Sequence, residues 1–329
     1  MTRRSVWSEP EIQQLLKEFV PAADEVGRLQ RGRDRECLLF QAFAEQGHYK
    51  GREVPSDTRQ GIYAVTPNGT FLASCNTRRA DTVAKMLRLA LERWKALPAA
   101  ARQLGADDRK SLQQTKRWTD RYPRDGLVLR VITRDLQEAK PGKGWRHNAW
   151  NLDFAWFRKD EIAGLLPEPR IGASRALPDP LMQRLARLHL LDNVRGQVDS
   201  FQVRDIEHAR LTATVTALDD ESMTLRLEGD SRAVRRGRWA VRGFRDHAAP
   251  KPQERGFAVA LLGHAKVSRK TGRFTAFELI GAGERWGGTQ FNGRDGDLDR
   301  GPIGVVLQLA EDKPDSRVAP ARIWEYRWR

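Results

Sequence analysis

Cysteine, long apolar runs and compact catalytic signatures are all scarce in this chain. Only Cys37 and Cys75 occur among 329 residues. Two thiols exclude a disulfide framework and a cysteine-rich zinc site. They read as two small buried hydrophobes, with a Cys37–Cys75 bridge as the alternative. No apolar stretch approaches the ~20 residues that cross a bilayer. The start, MTRRSVWSEPEIQ, has a basic cluster with no apolar segment behind it, so no signal peptide is read. The expected location is cytoplasmic with no membrane segment, or exported if the natural start lies upstream. There is no P-loop, no Gly-x-Gly-x-x-Gly after a strand and no Gly-x-Ser-x-Gly elbow. The six histidines, at 48, 147, 189, 208, 247 and 264, never fall at the spacing of a zinc helix. No metal or cofactor is expected, and no motif assigns a reaction.

What the chain does have is charge and enough apolar residues to bury. Hydrophobic residues make up 40% and charged residues 31%, which fits a folded soluble protein and excludes a disordered one. The length suggests two domains. The net charge is +15, yet it is spread as +4 over residues 1–97, +5 over 98–170 and +6 over 171–329. A nucleic-acid binder gathers its charge on one face or stripe. Here arginines are interleaved with acids, so nucleic acid is a candidate partner that composition does not favour.

Along the chain, Ser8 and Glu11 have capping-box spacing with Pro10 in the first turn, followed by Ile12, Leu15, Leu16 and Phe19 at helical spacing. FVPAAD reads as a short strand. A second helix is expected over 34–46 with Leu39, Phe40 and Phe43 inward. GIYAVT and TFLASC flank Pro67-Asn68-Gly69, a strong hairpin signal. In the helix that follows, Val83, Met86, Leu87, Ala90, Leu91 and Trp94 share one stripe. Residues 98–125 read as a linker with a surface helix. After Leu127, LVLRVIT and NLDFAWF read as strands, KDEIAGLLP as a short helix and 178–193 as a helix with Leu181, Leu185 and Leu188 inward. RLTATVTAL and SMTLRLEG alternate about an Asp219-Asp220-Glu221 turn, RGFAVALLGHAKV and GRFTAFELIGAG form a second hairpin, and IGVVLQLAE is a last strand.

Two of these segments carry a family likeness. WSEPEIQQLLKEFVPAADE resembles a helix-then-strand piece of thioredoxin-like proteins. GIYAVTPNGTFLASCN with the helix to Trp94 is similar to that family's closing hairpin and last helix. Together they cover most of residues 5–96. The resemblance implies a thioredoxin-like fold without the Cys-x-x-Cys pair, whose place would fall at or before Met1, and without the family's proline near Gln60. Disulfide exchange needs a thiol of depressed pKa at a helix start, so the implied domain is redox-inactive. HAKVSRKTGRFTAFELIGAGERWG resembles a bacterial group that joins such a sheet to a thioredoxin-like start, a likeness that implies no activity.

The fold expected is therefore α+β. An incomplete thioredoxin-like α/β domain spans 1–97, a linker 98–125, and a mostly antiparallel β domain with a few helices 126–329. The function expected is non-enzymatic binding or scaffolding toward a protein or polyanionic partner. One alternative is nucleic-acid or polyanion binding through 232–242, where Arg235, Arg236 and Arg238 surround Trp239 and cations could grip phosphates beside a stacking ring. Another is an enzyme in the β domain near His147, Trp150 or His264. Trp145, Trp150 and Trp156 lie close enough in sequence to line a pocket, or to fill a core. Glu278 and Glu284 are a candidate carboxylate pair. Asp295, Asp297 and Asp299 have the spacing of a calcium loop, but Arg300 stands where such a loop needs Gly and Val306 where it needs Glu, so a solvated turn is expected.

Overall fold

A computed structural model describes residues 6–7, 9–24, 26–51, 58–77, 79–105, 107, 109–110, 118–136, 150–196, 198–241, 250–291, 294 and 296–328. The chain divides into two compact units, 1–117 and 118–329. No helix among the described residues is long and apolar enough to cross a membrane.

In the first unit, α1 (Pro10–Leu16) starts at Glu9, which caps without its side chain. Ser8, expected as the cap, lies outside the described residues. Residues 20–24 of FVPAAD form no strand. Val20 is almost fully exposed, and an extended segment holds as a strand only when a neighbour takes its backbone groups. A short helix not expected, α2 (Val26–Arg31), precedes α3 (Arg35–Gln46), whose Asp34 side chain accepts the Cys37 N–H at 3.0 Å. Phe40 of α3 is buried as expected, joined by Cys37 and Ala44 rather than by Leu39 and Phe43.

The hairpin β1 (Ile62–Val65) and β2 (Phe71–Cys75) turns where the sequence places it. Gly69 takes a φ of +84° there, open to glycine at little cost. Two strands alone are marginal in water. The helix α4 (Ala80–Ala96) supplies the missing face by laying Val83, Met86, Leu87 and Ala90 against Ala64, Leu72 and Ala73. Asp81 in its first turn and Arg93 and Lys95 in its last complement the helix dipole.

The second unit is one eight-stranded antiparallel sheet. Its elements in chain order are β3 (Leu127–Asp135), β4 (Trp150–Phe157), α5 (Lys159–Ala163), β5 (Ser174–Ala176), α6 (Asp179–Leu188), β6 (Ile206–Leu218), β7 (Ser222–Trp239), β8 (Lys251–Ser268), β9 (Phe274–Trp286) and β10 (Gly301–Leu309). The order across the sheet is β4-β3-β10-β9-β8-β7-β6-β5. Strands β6 to β10 follow one another as a meander, and β10 then pairs with β3, which joins the early β3–β4 pair to the late strands. Four strands stand between β3 and β6, yet Leu127, Leu129, Leu211 and Ala213 share one core. The sheet therefore curls, and Leu181, Met182 and Leu185 of α6 fill the hollow. At Gly281 an added β-carbon would come 2.6 Å from Val305 Cγ1, so the curl needs a residue without a side chain there.

A second cluster lies on the other face of β3 and β4. Val128, Phe154 and Trp156 are covered there by Ile323, Tyr326 and Trp328 of the last residues. Arg184 of α6 ties it down. Its guanidinium holds Glu161 in a two-pronged pair at 2.7 and 3.1 Å, donates to the Trp156 carbonyl and lies 4.5 Å from the Tyr326 ring centre. Burial opposes the ionisation of Glu161, but the Arg184 guanidinium outweighs it and holds the carboxyl below its ordinary value. A depressed carboxylate adds stability above its unfolded pKa of about 4.3 and loses it as pH falls through the folded value. Glu161→Gln should lower the melting temperature at neutral pH and flatten the acid limb of the stability profile below about pH 4.3. Chemical denaturation across pH measures both, and equal acid slopes in mutant and wild type would count against this account.

Candidate binding cleft

The interior of the second unit is filled. The apolar gap between Leu127, Phe157, Leu225 and Phe277 measures about 40 Å³, and the polar one beside Arg255, Phe201 and Thr289 about 20 Å³. Such volumes hold water molecules, not ligands. The first unit differs. A cleft of about 810 Å³ opens where the end of α3, strand β2 and helix α4 meet.

Phe71 and Ala73 of β2 and Met86 and Leu89 of α4 make its apolar lining, with Lys50, Lys85 and Arg93 around them. Leu89 is 40% exposed, off the stripe that α4 turns to the core. Arg93 also donates to the Leu72 carbonyl. Among the described residues, Lys50 and Lys85 have no carboxylate within ion-pair distance. The acid of the lining, Glu45, is engaged by Arg59 at 2.7 Å. The cleft thus sets apolar side chains beside cationic ones.

A latch holds its α3 side to β2. His48 Nε2 lies 3.2 Å from the Gln60 carbonyl, which can only accept, so Nε2 carries the proton. Nδ1 is then the acceptor for the Ser74 hydroxyl at 2.8 Å, and the Ser74 oxygen accepts the His48 backbone N–H at 2.9 Å. The ring stacks on Tyr63 at 5.1 Å. Gly47 packs so closely that a β-carbon there would overlap Ser74 Oγ.

Both cysteines are free. Cys37 is buried as expected and donates to Asp34 at 3.2 Å; burial first, and then that carboxylate, push its thiol up to about 11. Cys75 is only half-buried, contrary to expectation, because β2 turns it toward the open cleft. Burial pushes its thiol up as well. Neither is a thiolate at neutral pH.

The arginine-rich window falls on β7, where alternate residues face opposite ways. Arg235 and Trp239 share one face, Arg236 and Arg238 the other, so the four do not form one site. Arg235 pairs in register with buried Arg255, whose own pKa falls to about 10 through burial and then through this neighbour. The Trp239 indole N–H is committed to the Gly288 carbonyl at 2.8 Å. Arg236 is held by Glu254 at 2.8 Å and faces Glu207 at 3.6 Å, Arg232 is held by Glu207 at 2.6 Å, and Arg238 donates to the Pro250 carbonyl. This is a cross-strand ladder of mixed charge. Arg242 lies outside the described residues.

The tryptophan cluster also comes apart. Trp145 and His147 lie outside the described residues. Trp150 is 42% exposed while Trp156 is fully buried, and six residues of strand put them about 20 Å apart. Glu278 and Glu284 are six apart on β9 by the same geometry, beyond the separation at which two carboxyls share one bond cleavage. His264 stands exposed on β8 opposite Arg226 and Glu278.

The acidic loop is bound by arginines and is not the freely solvated turn expected. Arg285, 1% exposed, donates to the Asp299 carbonyl at 2.9 Å and meets Asp297 at 3.0 Å and Asp135 at 3.4 Å. Arg294 meets the same two carboxylates. Asp295 lies outside the described residues, among which no group of three metal-ligating side chains occurs. The aspartates neutralise buried guanidiniums. Arg285→Ala, which leaves Asp135 to Arg294 alone, should lower stability by urea titration, by less than the ~3–5 kcal/mol of a buried charge left with no partner. Excess calcium should leave the wild-type melting temperature unchanged, and a rise would mark a cation site after all.

The cleft residues were not legible beforehand. His48, Ser74 and Lys85 lie far apart with no local motif; the one signal was Leu89, an apolar residue on the polar side of an amphipathic helix. The chain matches no protein-family model, no curated protein and no solved structure.

Proposed function

We propose that the chain is a non-enzymatic binding protein whose first unit, built on a redox-inactive thioredoxin-like plan, holds an extended acidic and apolar peptide segment of another protein. The cleft carries this reading: its lining joins apolar Phe71, Ala73, Met86 and Leu89 to cationic Lys50, Lys85 and Arg93. Apolar contact there would supply affinity, and Lys50 and Lys85 would select acidic side chains. The protonated state of Cys37 and Cys75 supports the redox-inactive part, as does the lack of a Cys-x-x-Cys pair. The carboxylates already engaged by Arg232 and Arg236 weigh against polyanion binding along β7.

Fluorescent peptides mixing Asp or Glu with Leu and Phe should bind the protein, and matched peptides with Lys in place of the acids should not. Lys50→Glu with Lys85→Glu should weaken the acidic probe about tenfold, about 1.4 kcal/mol for two surface charges. Equal binding of acidic and basic probes, or indifference to the double reversal, refutes the assignment. The protein should also fail to accelerate insulin reduction by dithiothreitol above a blank.

A further inference from the structure

An antiparallel sheet with one packed face ordinarily turns polar side chains outward on the other. The outer face of this sheet departs from that rule at its centre. Reading the registers across, Leu262, Ile280, Val306, Ile132 and Leu152 form one continuous rung over β8, β9, β10, β3 and β4. Leu262 is 57% and Ile280 47% exposed, and Val306, Ile132 and Leu152 are half-buried. The next rung, through Ala260, Ala282, Gly304, Arg134 and Trp150, is small over β8 to β10 and bulky over β3 and β4, so the two-fold operation that follows sets small residues against large ones. A patch of this kind marks an interaction surface.

The neighbouring charges say what fits it. On the rung to the other side, Glu278 of β9 and Arg130 of β3 flank Gln308 of β10 symmetrically. Gln308 donates to Glu278 at 3.0 Å, and among the described residues neither Glu278 nor Arg130 has an ion-pair partner. A two-fold axis lying along β10 and between two such faces maps β9 onto the partner's β3, and β8 onto the partner's β4. Val306 then meets its own copy, Ile280 meets Ile132, and Leu262 meets Leu152. The same operation sets Glu278 of each chain against Arg130 of the other, twice. Because the sheet curls and the last residues cover Phe154 of β4, the contact centres on β9, β10 and β3, with Leu262 and Leu152 at its rim.

We propose that this outer face is an isologous dimer interface whose occupant is a second copy of the chain, related by a two-fold axis along β10. The surface is self-complementary in the order of its apolar residues and in charge, which is what a closed two-fold contact requires. The proposal is independent of the cleft in the first unit.

Sedimentation equilibrium of the full chain tests it. The wild type should run at twice the 37.5 kDa chain mass. Ile280→Arg, at an exposed position, should yield a folded monomer by circular dichroism. Glu278→Arg alone sets arginine against arginine at both symmetric positions, and Arg130→Glu alone sets glutamate against glutamate. Each should weaken self-association about a hundredfold. Mixing the two variants should restore a dimer, because every cross-chain contact is then opposite in sign. A heterodimer recovered from two monomeric variants fits a two-fold contact and no other use of the face. A monomeric wild type, single charge variants that stay dimeric, or a mixture that stays monomeric would each overturn the proposal.

Discussion

The hydrogen-bonded insertion of β10 between β9 and β3 is the constraint on which the second unit rests. It joins residues 127–135 to residues 301–309, the first and last strands of that unit in chain order. Without it the meander β6–β9 and the pair β3–β4 would be separate sheets, each with an open edge. With it, one surface curls far enough for β3 and β6 to share a core around α6. Ile303, Val305 and Leu307 seal that core at 0–1% exposure, while Val306 between them looks out from the centre of the apolar rung. The same strand therefore organises the interior and places the outer patch.

Arginine explains the composition better than a polyanionic partner does. Arg184, Arg195, Arg255 and Arg285 are all buried. Each spends its planar fork on carboxylates or carbonyls: Glu161 and the Trp156 carbonyl, Asp192 and the Gly287 carbonyl, the Asp199 carbonyl, and Asp135 with Asp297. An ammonium could not satisfy these fixed geometries. The cations of β7 are exposed but are answered across the strands by Glu207 and Glu254. A net charge of +15 is thus partly a structural inventory, and net charge alone does not assign a partner.

Much of the secondary structure was legible because it is local. Period-two alternation marked β6 to β9, Asn68-Gly69 marked the first hairpin, and the stripe from Val83 to Trp94 marked α4. The failures share one cause. FVPAAD has the composition of a strand but no neighbour to bond. The 232–242 arginines offered a phosphate-binding alternative to the plain reading of alternating residues leading into a strand, and strand parity sends them to opposite faces. Trp150 and Trp156 looked adjacent and are separated by the length of a strand. The aspartates after Gly293 read as a solvated turn, but Asp297 is claimed by Arg285 of β9 and by Arg294 three residues before it.

Taken alone, the order of residues decided what short-range chemistry decides: which segments are amphipathic, where the backbone can reverse, and that no paired thiols exist to exchange electrons. It also decided that the charges would be mixed. Tertiary structure alone decided that β10 lies beside β3, and hence which side chains share the outer rung, a cleft or a buried ion pair. That pairing joins segments more than a hundred residues apart, and no periodicity within either segment encodes its partner.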